Sequence, residues 1–365
     1  MDFAAAVLRS VGSPLRVETL HTLEMADTDV VVRVRAASLC HTDLEAIDGQ
    51  LAVPLPLVPG HEAAGVVDWV GPAVRSVRAG DHVVMSWNPH CGSCFYCRHE
   101  QPILCEPYRQ GAAQAWHFDG RARIATPAQL VHTLMYTGGF AELVVVPESS
   151  AVKVPREIPF DRACLIGCGV MTGVGAVLNV AHVKAGTSVA VIGCGAVGLS
   201  AIQGARMAGA GLLMAIDRDP QKLELARSMG ATHACLAGAA AEEEIRTLTD
   251  GRGVDTVFEG AGSPAAFESS LRIARPGGQV VWLGKRPVDE LLALRWGSLT
   301  GEKRIVRSSY GGARPERDFP MLAQAYLDGR LHLDDYITSR IRLDALNDAV
   351  ARLRDGREIR AVVEF

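Results

Sequence analysis

Residues 188–198 read Ser-Val-Ala-Val-Ile-Gly-Cys-Gly-Ala-Val-Gly, an apolar run that leads into the pattern G-x-G-x-x-G. The run predicts a buried strand, and the glycines predict a tight turn into a helix. Gly193 permits the turn, Gly195 lets the backbone approach a pyrophosphate, and Gly198 lets the helix pack closely on the sheet. Amides at the helix N-terminus would then face the phosphates. This stretch predicts dinucleotide binding.

Strand-like and helix-like stretches alternate around these glycines. The segments 212–216, 254–258 and 279–283 are strand-like, and 220–229 is helix-like. This alternation predicts βαβ units and a parallel sheet, and therefore an α/β fold class with a doubly wound sheet.

An acidic residue follows the second of these strands. Asp217 lies roughly 20 residues beyond the glycines, where a carboxylate can accept hydrogen bonds from the adenosine ribose and repel a 2′-phosphate. The position favours NAD over NADP, although the neighbouring Arg218 weakens that preference.

The first third of the chain has a different pattern of predicted secondary structure. Short β-branched runs at 30–34, 65–70 and 83–85 are separated by Gly and Pro, and the chain closes on a strand-like 360–363. These patterns predict a β-rich domain. Residues 108–137 lack a clear period and are expected to form an irregular insertion.

Composition narrows the class of protein. At 365 residues the chain predicts two domains, and no apolar run reaches the ~20 residues of a membrane span. The acidic start Met1-Asp2 is unlike a secretion signal. We therefore expect a cytoplasmic protein without a membrane partner. The net charge of −4 gives no reason to expect nucleic acid as a partner.

Four of the nine cysteines are crowded into one short segment. Cys91, Cys94, Cys97 and Cys105 form C-x2-C-x2-C-x7-C. Four thiolates can close a tetrahedral shell around Zn²⁺, which is typical of a structural zinc site. An iron–sulfur cluster or a nucleic-acid zinc knuckle uses similar ligands, and the acidic net charge disfavours the knuckle.

A second set of potential ligands is dispersed along the chain. Cys40, His61 and Cys168 could form a Cys2His shell with a fourth position open for water or substrate. Each residue alone has an ordinary structural explanation, and their spacing does not join them.

Several stretches together resemble the medium-chain zinc-dependent alcohol dehydrogenases, closest to the class III and aryl-alcohol branch, over nearly the whole chain. They occur in the order of that family: Cys40-His41-Thr42-Asp43, Pro59-Gly60-His61-Glu62-Ala63-Ala64-Gly65, the four-cysteine lobe, Gly167-Cys168-Gly169-Val170-Met171-Thr172-Gly173, the glycine fingerprint, and Ile359-Arg360-Ala361-Val362.

The resemblance implies two domains. A GroES-like β-rich catalytic domain would comprise 1–169 and 310–365, with a structural zinc lobe at about 90–106. A Rossmann coenzyme domain would be inserted at 170–309.

The resemblance also implies two zinc ions per chain and one NAD. Cys40, His61 and Cys168 would bind the catalytic zinc, Asp43 would hydrogen-bond His61, and Glu62 would sit behind the metal. The four-cysteine lobe would hold the structural zinc. The expected coenzyme residues are His41, Thr172, Gly193, Gly195, Val197, Gly198, Asp217, Arg218, Lys222 and Arg360.

The implied reaction is reversible hydride transfer between an alcohol and NAD, with zinc as the Lewis acid that polarises the alcohol oxygen. Thr42 would take the proton of the alcohol. Several liver-type members end their proton relay in a histidine; Glu45 occupies that position here, and we expect it to be the last group of the relay.

The substrate pocket is less well defined. Trp87 is expected beside the catalytic zinc, and Leu51 and Val53 near the pocket mouth, which favours an apolar or aromatic primary alcohol; ordinary core packing would explain them equally well. Lys285 stands where relatives often have a small apolar residue, and either an acidic substrate or a solvent-facing side chain would account for it.

The alternative is a glutathione- or mycothiol-dependent formaldehyde dehydrogenase acting on the S-hydroxymethyl adduct. Arg109 occupies the place of an arginine that binds the carboxylate of that substrate, whereas Leu51 and Val53 replace acids of that branch.

Two further classes share some of these features, a zinc-stapled dinucleotide-binding protein without catalysis and a zinc-free quinone reductase. The presence of all the catalytic ligands and of the Thr42 hydroxyl disfavours the first, and the presence of both metal sets disfavours the second. A homodimer joined through coenzyme-domain strands such as 279–283 is expected, with a tetramer as the other possibility.

Overall fold

The computed structural model describes residues 1–111 and 115–365. The chain folds into two compact units, Met1–Cys168 with Arg314–Phe365, and Gly169–Ala313. The domain boundaries expected from the sequence, 1–169 with 310–365 and 170–309, stay a prediction.

The first unit is built mainly of short strands, most of them antiparallel. Its described helices and strands are β1 (Asp2–Val7), β2 (Arg16–Thr22), β3 (Asp29–Ser38), α1 (His41–Ile47), β4 (Leu57–Val58), β5 (Glu62–Val70), β6 (His82–Met85), α2 (Phe95–Arg98), α3 (Glu106–Gly111), β7 (Ile124–Ala125), β8 (Leu130–Thr133), β9 (Leu143–Pro147), β10 (Ala151–Lys153), α4 (Phe160–Leu165), and, from the C-terminal segment, α10 (Pro315–Leu327), β17 (Ile337–Ile341), α11 (Leu346–Arg354) and β18 (Arg360–Glu364).

Two sheets form within the described part of this unit. One has the order β1-β2-β7-β8-β4, and the other has β10-β6-β5-β3-β18-β17 with β9 paired to β3. The C-terminal β18 pairs with β3, Val362 opposite Ser38, so the two ends of the chain share one sheet. The predicted irregular insertion at 108–137 contains the end of α3, β7 and β8, and its residues 112–114 lie outside the described chain.

The second unit alternates strands and helices, because its strands are apolar runs and two of its described helices begin at a capping side chain. Asp219 and Ser263 accept hydrogen bonds from backbone amides at the starts of α7 and α9. The described elements are α5 (Met171–Gly175), β11 (Ser188–Ile192), α6 (Ala196–Met207), β12 (Leu212–Asp217), α7 (Pro220–Ser228), β13 (His233–Leu236), α8 (Ala239–Leu248), β14 (Val254–Glu259), α9 (Pro264–Ile273), β15 (Ala274–Trp282) and β16 (Arg304–Arg307).

These strands form a parallel sheet of order β13-β12-β11-β14-β15-β16 in the described chain. The order reverses between β11 and β14, the arrangement of a doubly wound nucleotide-binding sheet. The predicted α/β class is confirmed. The apolar core on this sheet includes Ala190, Met214 and Val257.

The strand at 279–283 was expected to join two subunits. In the structure β15 is hydrogen-bonded to β14 on one side and to β16 on the other. The backbone groups of β15 are therefore already paired and cannot pair with a second subunit. The prediction that this strand joins two subunits is wrong. On this side of the described sheet the free edge belongs to β16.

One described helical stretch, Phe160–Ala181, is long and apolar enough to cross a membrane by length and composition alone. Most of it is buried within the fold, as a core helix is. The stretch contains π-helical turns at Ile166–Val170 and Ala176–Ala181, a local irregularity that is frequent at functional sites.

Candidate metal centres and coenzyme site

The dispersed residues Cys40, His61 and Cys168 lie together in the first unit. Cys40 precedes α1, His61 precedes β5, and Cys168 lies in the first π-helical turn. Their sulfur and nitrogen atoms and one Glu62 oxygen all lie within 4.8 Å of one another. The fold thus brings together ligands that sequence spacing could not connect.

Asp43 fixes the geometry of this cluster. Its Oδ2 accepts a hydrogen bond from the Cys40 amide (2.9 Å), and its Oδ1 accepts one from the Gly60 amide (2.9 Å). The same Oδ1 lies 3.1 Å from Nδ1 of His61. Because Asp43 holds Nδ1, the ring presents Nε2 to the cluster, as a histidine ligand must.

The donor set fits a zinc ion. His61 is 1% exposed, and its Nε2 has no hydrogen-bond partner among the described residues, an arrangement that is costly unless the nitrogen binds a metal. The Cys168 thiol donates a hydrogen bond to the Cys40 sulfur and Arg360 adds positive charge, so the pKa of Cys40 lies well below its usual value although burial opposes this. Two cysteines and one histidine leave the fourth position that a catalytic zinc requires.

Glu62 and Arg360 form a buried ion pair behind the cluster. Nε and Nη2 of Arg360 each lie 3.1 Å from a Glu62 oxygen, and Nη2 lies 3.6 Å from the Cys40 sulfur. Burial raises the pKa of Glu62 to about 7 against the lowering effect of Arg360. This pairing was not predicted from the sequence; the predicted contact of Arg360 with the pyrophosphate stays a prediction.

The four crowded cysteines form a second cluster. The sulfurs of Cys91, Cys94, Cys97 and Cys105 all lie within 4.8 Å of one another. The Cys94 amide donates to the Cys91 sulfur and the Cys91 amide donates to the Cys105 sulfur, both at 3.3 Å. Four thiols with amide donors, and no oxygen ligand among the described residues of this cluster, suit a closed structural zinc site.

The glycine fingerprint has the geometry that a phosphate site needs. Gly193 has φ +90°, and a Cβ on Gly198 would lie 1.8 Å from the Gly193 carbonyl oxygen, so neither position tolerates a side chain. Gly195 begins α6 with open space where its Cβ would be. The 12-residue helix therefore presents uncovered amides and its positive dipole end to a ligand.

Asp217 ends β12 beside this loop. Its Oδ2 accepts a hydrogen bond from the Cys194 amide (2.6 Å), and its Oδ1 accepts one from the Asp219 amide (3.0 Å). Each carboxylate oxygen retains a further lone pair for a ribose hydroxyl.

The other predicted coenzyme residues lie at or near the same helices. Arg218 is exposed, and Lys222 lies in the first turn of α7. Thr172 on α5 and Val197 on α6 are half-buried. Their contacts with a coenzyme stay predictions.

The predicted relay residues share helix α1. Thr42 is buried, Glu45 is half-buried, and His41 is exposed. Positions three apart face the same side of a helix, so Thr42 and Glu45 are neighbours on one face.

Trp87 belongs to an aromatic group beside the four-cysteine cluster. It packs with Tyr108, Tyr136 and that cluster, its ring centroid 6.3 Å from that of Tyr108. Tyr108 in turn is close enough to Cys168 for that thiol to influence its pKa, which burial raises. The predicted place of Trp87 beside the catalytic zinc stays a prediction. The position of Tyr108 near both cysteine clusters was not predicted, because no motif or periodic pattern in the sequence marks an aromatic residue in this segment.

The remaining predicted pocket residues are more peripheral. Leu51 and Val53 are partly buried and pack against the main apolar core of the first unit. Arg109 is exposed on α3. Lys285 is exposed in the second unit, just beyond β15.

Two family models and full-length relatives match the chain. The model of the alcohol dehydrogenase GroES-like domain matches residues 26–156, and that of the zinc-binding dehydrogenase matches 196–327. S-(hydroxymethyl)glutathione dehydrogenase of Synechocystis is 35% identical over 370 residues, which cover all of both chains.

Solved structures agree with these matches. An alcohol dehydrogenase zinc-binding domain protein from Burkholderia ambifaria has a TM-score of 0.96 and 34% identity, over 100% of this chain and 99% of its own. Benzyl alcohol dehydrogenase from Acinetobacter calcoaceticus has a TM-score of 0.94 and 29% identity over the same shares. The predicted GroES-like and Rossmann-like parts are thereby confirmed.

Proposed function

The chain belongs to the medium-chain zinc-dependent alcohol dehydrogenase family, and we propose that it transfers hydride reversibly between an apolar or aromatic primary alcohol and NAD. It is an oxidoreductase that acts on alcohols with zinc and a nicotinamide coenzyme. The observation that carries the proposal is the cluster of Cys40, His61 and Cys168, in which the buried Nε2 of His61 has no hydrogen-bond partner within the part of the chain that the structure describes.

In this proposal Cys40, His61 and Cys168 hold the catalytic zinc, and the four-cysteine lobe holds the structural one. The catalytic ion supplies Lewis acidity for the alcohol oxygen when bound. Asp43 keeps His61 in the binding tautomer, and the Glu62–Arg360 pair places a compensated charge behind the thiols.

Thr42 is the proton acceptor in this scheme, since its hydroxyl can accept and donate at once. The proton then passes along the same face of α1 to Glu45, which is half-buried and can release it to water. If Glu45 ends the relay, Glu45→Ala shifts the pH profile of kcat; an unchanged profile would remove Glu45 from the mechanism.

The preference for NAD rests on Asp217. Its carboxylate ends β12 next to the glycine loop, and a second negative group, the 2′-phosphate of NADP, would be repelled there.

The substrate proposal rests on an aromatic group that packs beside the four-cysteine cluster and reaches towards Cys168 through Tyr108. Trp87, Tyr108 and Tyr136 pack together, and Tyr108 is within electrostatic reach of Cys168. Aromatic rings favour contact with another ring or an alkyl chain. The resemblance to benzyl alcohol dehydrogenase is in keeping with such a substrate.

A second candidate substrate is the S-hydroxymethyl adduct of a thiol such as glutathione or mycothiol with formaldehyde. Arg109 is exposed and has no ion pair among the described residues, so it is available to a carboxylate. The name of the Synechocystis relative points the same way. Against it, Leu51 and Val53 offer no charge to the amino group of such a thiol.

One assay separates the two candidates. The wild type and Arg109→Ala are compared in NAD reduction with benzyl alcohol, hexanol, and formaldehyde with and without glutathione. Our proposal expects benzyl alcohol or hexanol to be the best substrate, with kcat/KM changed less than about 3-fold by Arg109→Ala. A thiol-dependent formaldehyde rate that exceeds the alcohol rates and falls about 10-fold or more in Arg109→Ala would establish the second candidate.

We also propose a homodimer formed through the free edge of β16. Residues Val288, Leu291 and Trp296, which precede this strand, are exposed by 84% or more, and apolar surface of this extent is typical of an interface. Light scattering tests this, because Trp296→Ser should shift the dimer towards the monomer; a monomeric wild type would refute it.

A cytoplasmic location completes the proposal, because both metal clusters require cysteines kept reduced.

A further inference from the structure

Glu259 is a buried carboxyl group at the carboxyl end of β14 that the proposed reaction does not use. Its side chain is fully buried, at 0% exposure. Oε1 accepts hydrogen bonds from the backbone amides of Ala261 (2.8 Å) and Gly262 (2.7 Å). Oε2 is buried as well and has no hydrogen-bond partner among the described residues. The carboxyl group therefore holds the turn 260–262 through one oxygen alone.

That turn packs against the first glycine of the fingerprint. The Gly260 amide donates to the Ile192 carbonyl (2.8 Å), and a Cβ on Gly193 would lie 2.7 Å from the Ala261 nitrogen. β11 and β14 are also the neighbouring strands between which the order of the sheet reverses, the place where nucleotides bind in such folds. Glu259 thus supports the phosphate-binding loop from behind.

A third backbone segment meets the same carboxyl group. A Cβ on Gly284 would lie 2.6 Å from Oε2 of Glu259 and 2.4 Å from the Gly262 nitrogen. The amide of Gly284 donates to the Glu259 carbonyl oxygen (2.9 Å). The side chain is therefore enclosed by backbone that cannot move away without breaking the end of the sheet.

Few charged groups face this carboxyl. Burial raises the pKa of Glu259 to about 7, opposed by the amides of Gly262 and Ala261, by the positive charge of Arg307 on β16, and by the amide of Gly284. Lys285 follows Gly284 and is exposed. On α9 the first ionisable residue is Glu268, which is paired with Arg272, and beyond β11 lies Asp217.

We propose that Glu259 is a positioning residue for the coenzyme, which acts through the turn 260–262 and supports tight binding only while its carboxyl group is neutral. This rests on the proposed coenzyme site at Gly193–Gly198. The pyrophosphate carries two negative charges, and a carboxylate in a dry interior behind the loop repels them with little screening. The neutral acid keeps the acceptor for both amides without that repulsion.

The test is coenzyme affinity against pH in the zinc-loaded, full-length protein. NADH binding is followed by the fluorescence of the bound coenzyme from about pH 6 to 9 for the wild type, Glu259→Gln, and the matched control Glu268→Gln. The amide of glutamine keeps the shape and the acceptor of the neutral acid. The wild type and the control should bind about 5-fold more weakly at the alkaline end than at the acidic end, and Glu259→Gln should lose most of this change.

Failure of the role of Glu259 and failure of the proposed coenzyme site would give different results in this test. An equal pH dependence in Glu259→Gln and the wild type overturns the role of Glu259 and leaves the coenzyme site intact. No NADH binding by the wild type at any pH overturns the coenzyme site and this inference with it.

A second measurement needs no variant at Glu259. Calorimetry of NADH binding to the wild type at about pH 7.5 in phosphate and in Tris reports the protons exchanged. Net uptake of about half a proton per chain supports the inference, because a group with a pKa near 7 is mostly ionised before binding. No uptake, or net release, overturns it.

Discussion

At the scale of single residues, Asp43 shows how one carboxylate organises a metal cluster. It hydrogen-bonds the amides of Cys40 and Gly60 and the ring of His61, and so joins the start of α1 to the start of β5. Ligands that are 21 residues apart in the chain, Cys40 and His61, are held in register by this side chain rather than by the sheet alone.

We therefore predict that Asp43→Ala weakens binding of the catalytic zinc by about 10- to 100-fold, because the ring of His61 loses the partner that orients it. Zinc retained after dialysis against a graded chelator measures this. The matched control is Asp48→Ala, which removes a partly exposed carboxylate at the other end of the same helix, paired with Arg354. Equal zinc retention in both variants would contradict the role of Asp43.

The sequence located single residues well where a motif carried them. The four-cysteine spacing and the glycine fingerprint each fix a local geometry, so their members could be identified without the fold. Arg360 and Tyr108 could not be placed in this way. Arg360 meets Glu62 across 298 positions of sequence, because β18 pairs with β3 and β3 pairs in turn with β5.

At the scale of elements, a buried polar network ties the insertion to the β-rich unit. Asp29, at the start of β3, contacts Nδ1 of His117 (3.2 Å) and is ion-paired with Nε of Arg123. Arg123 also binds Asp119 at 2.7 Å. Asp29, His117 and Arg123 are all nearly inaccessible to solvent. Their buried contacts therefore hold the insertion against β3.

We predict that Asp29→Asn lowers the free energy of unfolding by about 3 kcal/mol, because the buried charge of Arg123 loses its buried partner and keeps only the more exposed Asp119. Asp119→Asn, whose carboxylate is 38% exposed, should cost less than about 1 kcal/mol. Urea unfolding near neutral pH compares the two. Similar decreases in the free energy of unfolding in both variants would show that the buried Asp29–Arg123 ion pair stabilises the fold no more than the exposed Asp119–Arg123 pair does.

The sign of the pH dependence follows from the same network. Burial raises the pKa of Asp29, but His117 and Arg123 outweigh it and lower the pKa below its usual value. Its stabilisation is therefore present above pH ~4 and lost as the pH falls through the lowered pKa.

Elements with a strong period were predictable. The strands and helices of the second unit follow apolar runs and capping residues, and their parallel order follows from the alternation. The sheet β1-β2-β7-β8-β4 was not foreseen, because β4 and β7 are 2 residues long and take their pairing from distant strands. The choice of β15 as a subunit edge failed for the same reason, since a strand run does not reveal its neighbours.

At the scale of the whole molecule, Glu259 makes stability depend on pH. Its pKa is about 7 in the folded protein against 4.5 as the ordinary value. Between these values the unfolded chain has released the proton that the folded chain still holds, so stability from this group falls as the pH rises from about 4.5 to 7.

We predict that Glu259→Gln is more stable than the wild type at about pH 8, by an amount on the order of 3 kcal/mol, with the difference shrinking towards about pH 5. Urea unfolding at several pH values across this range measures it. A difference that is constant with pH would show that Glu259 is ionised throughout this range.

The whole chain is proposed to be a two-zinc, NAD-dependent alcohol dehydrogenase with Cys40, His61 and Cys168 as its catalytic ligands. The sharpest test is elemental analysis of the wild type and His61→Ala, on the same samples assayed for NADH formation from benzyl alcohol. We expect about two zinc ions per chain and activity in the wild type, and about one zinc ion and no activity in His61→Ala. A wild type with one zinc ion or none, or a variant that keeps both zinc ions and the activity, would overturn this assignment.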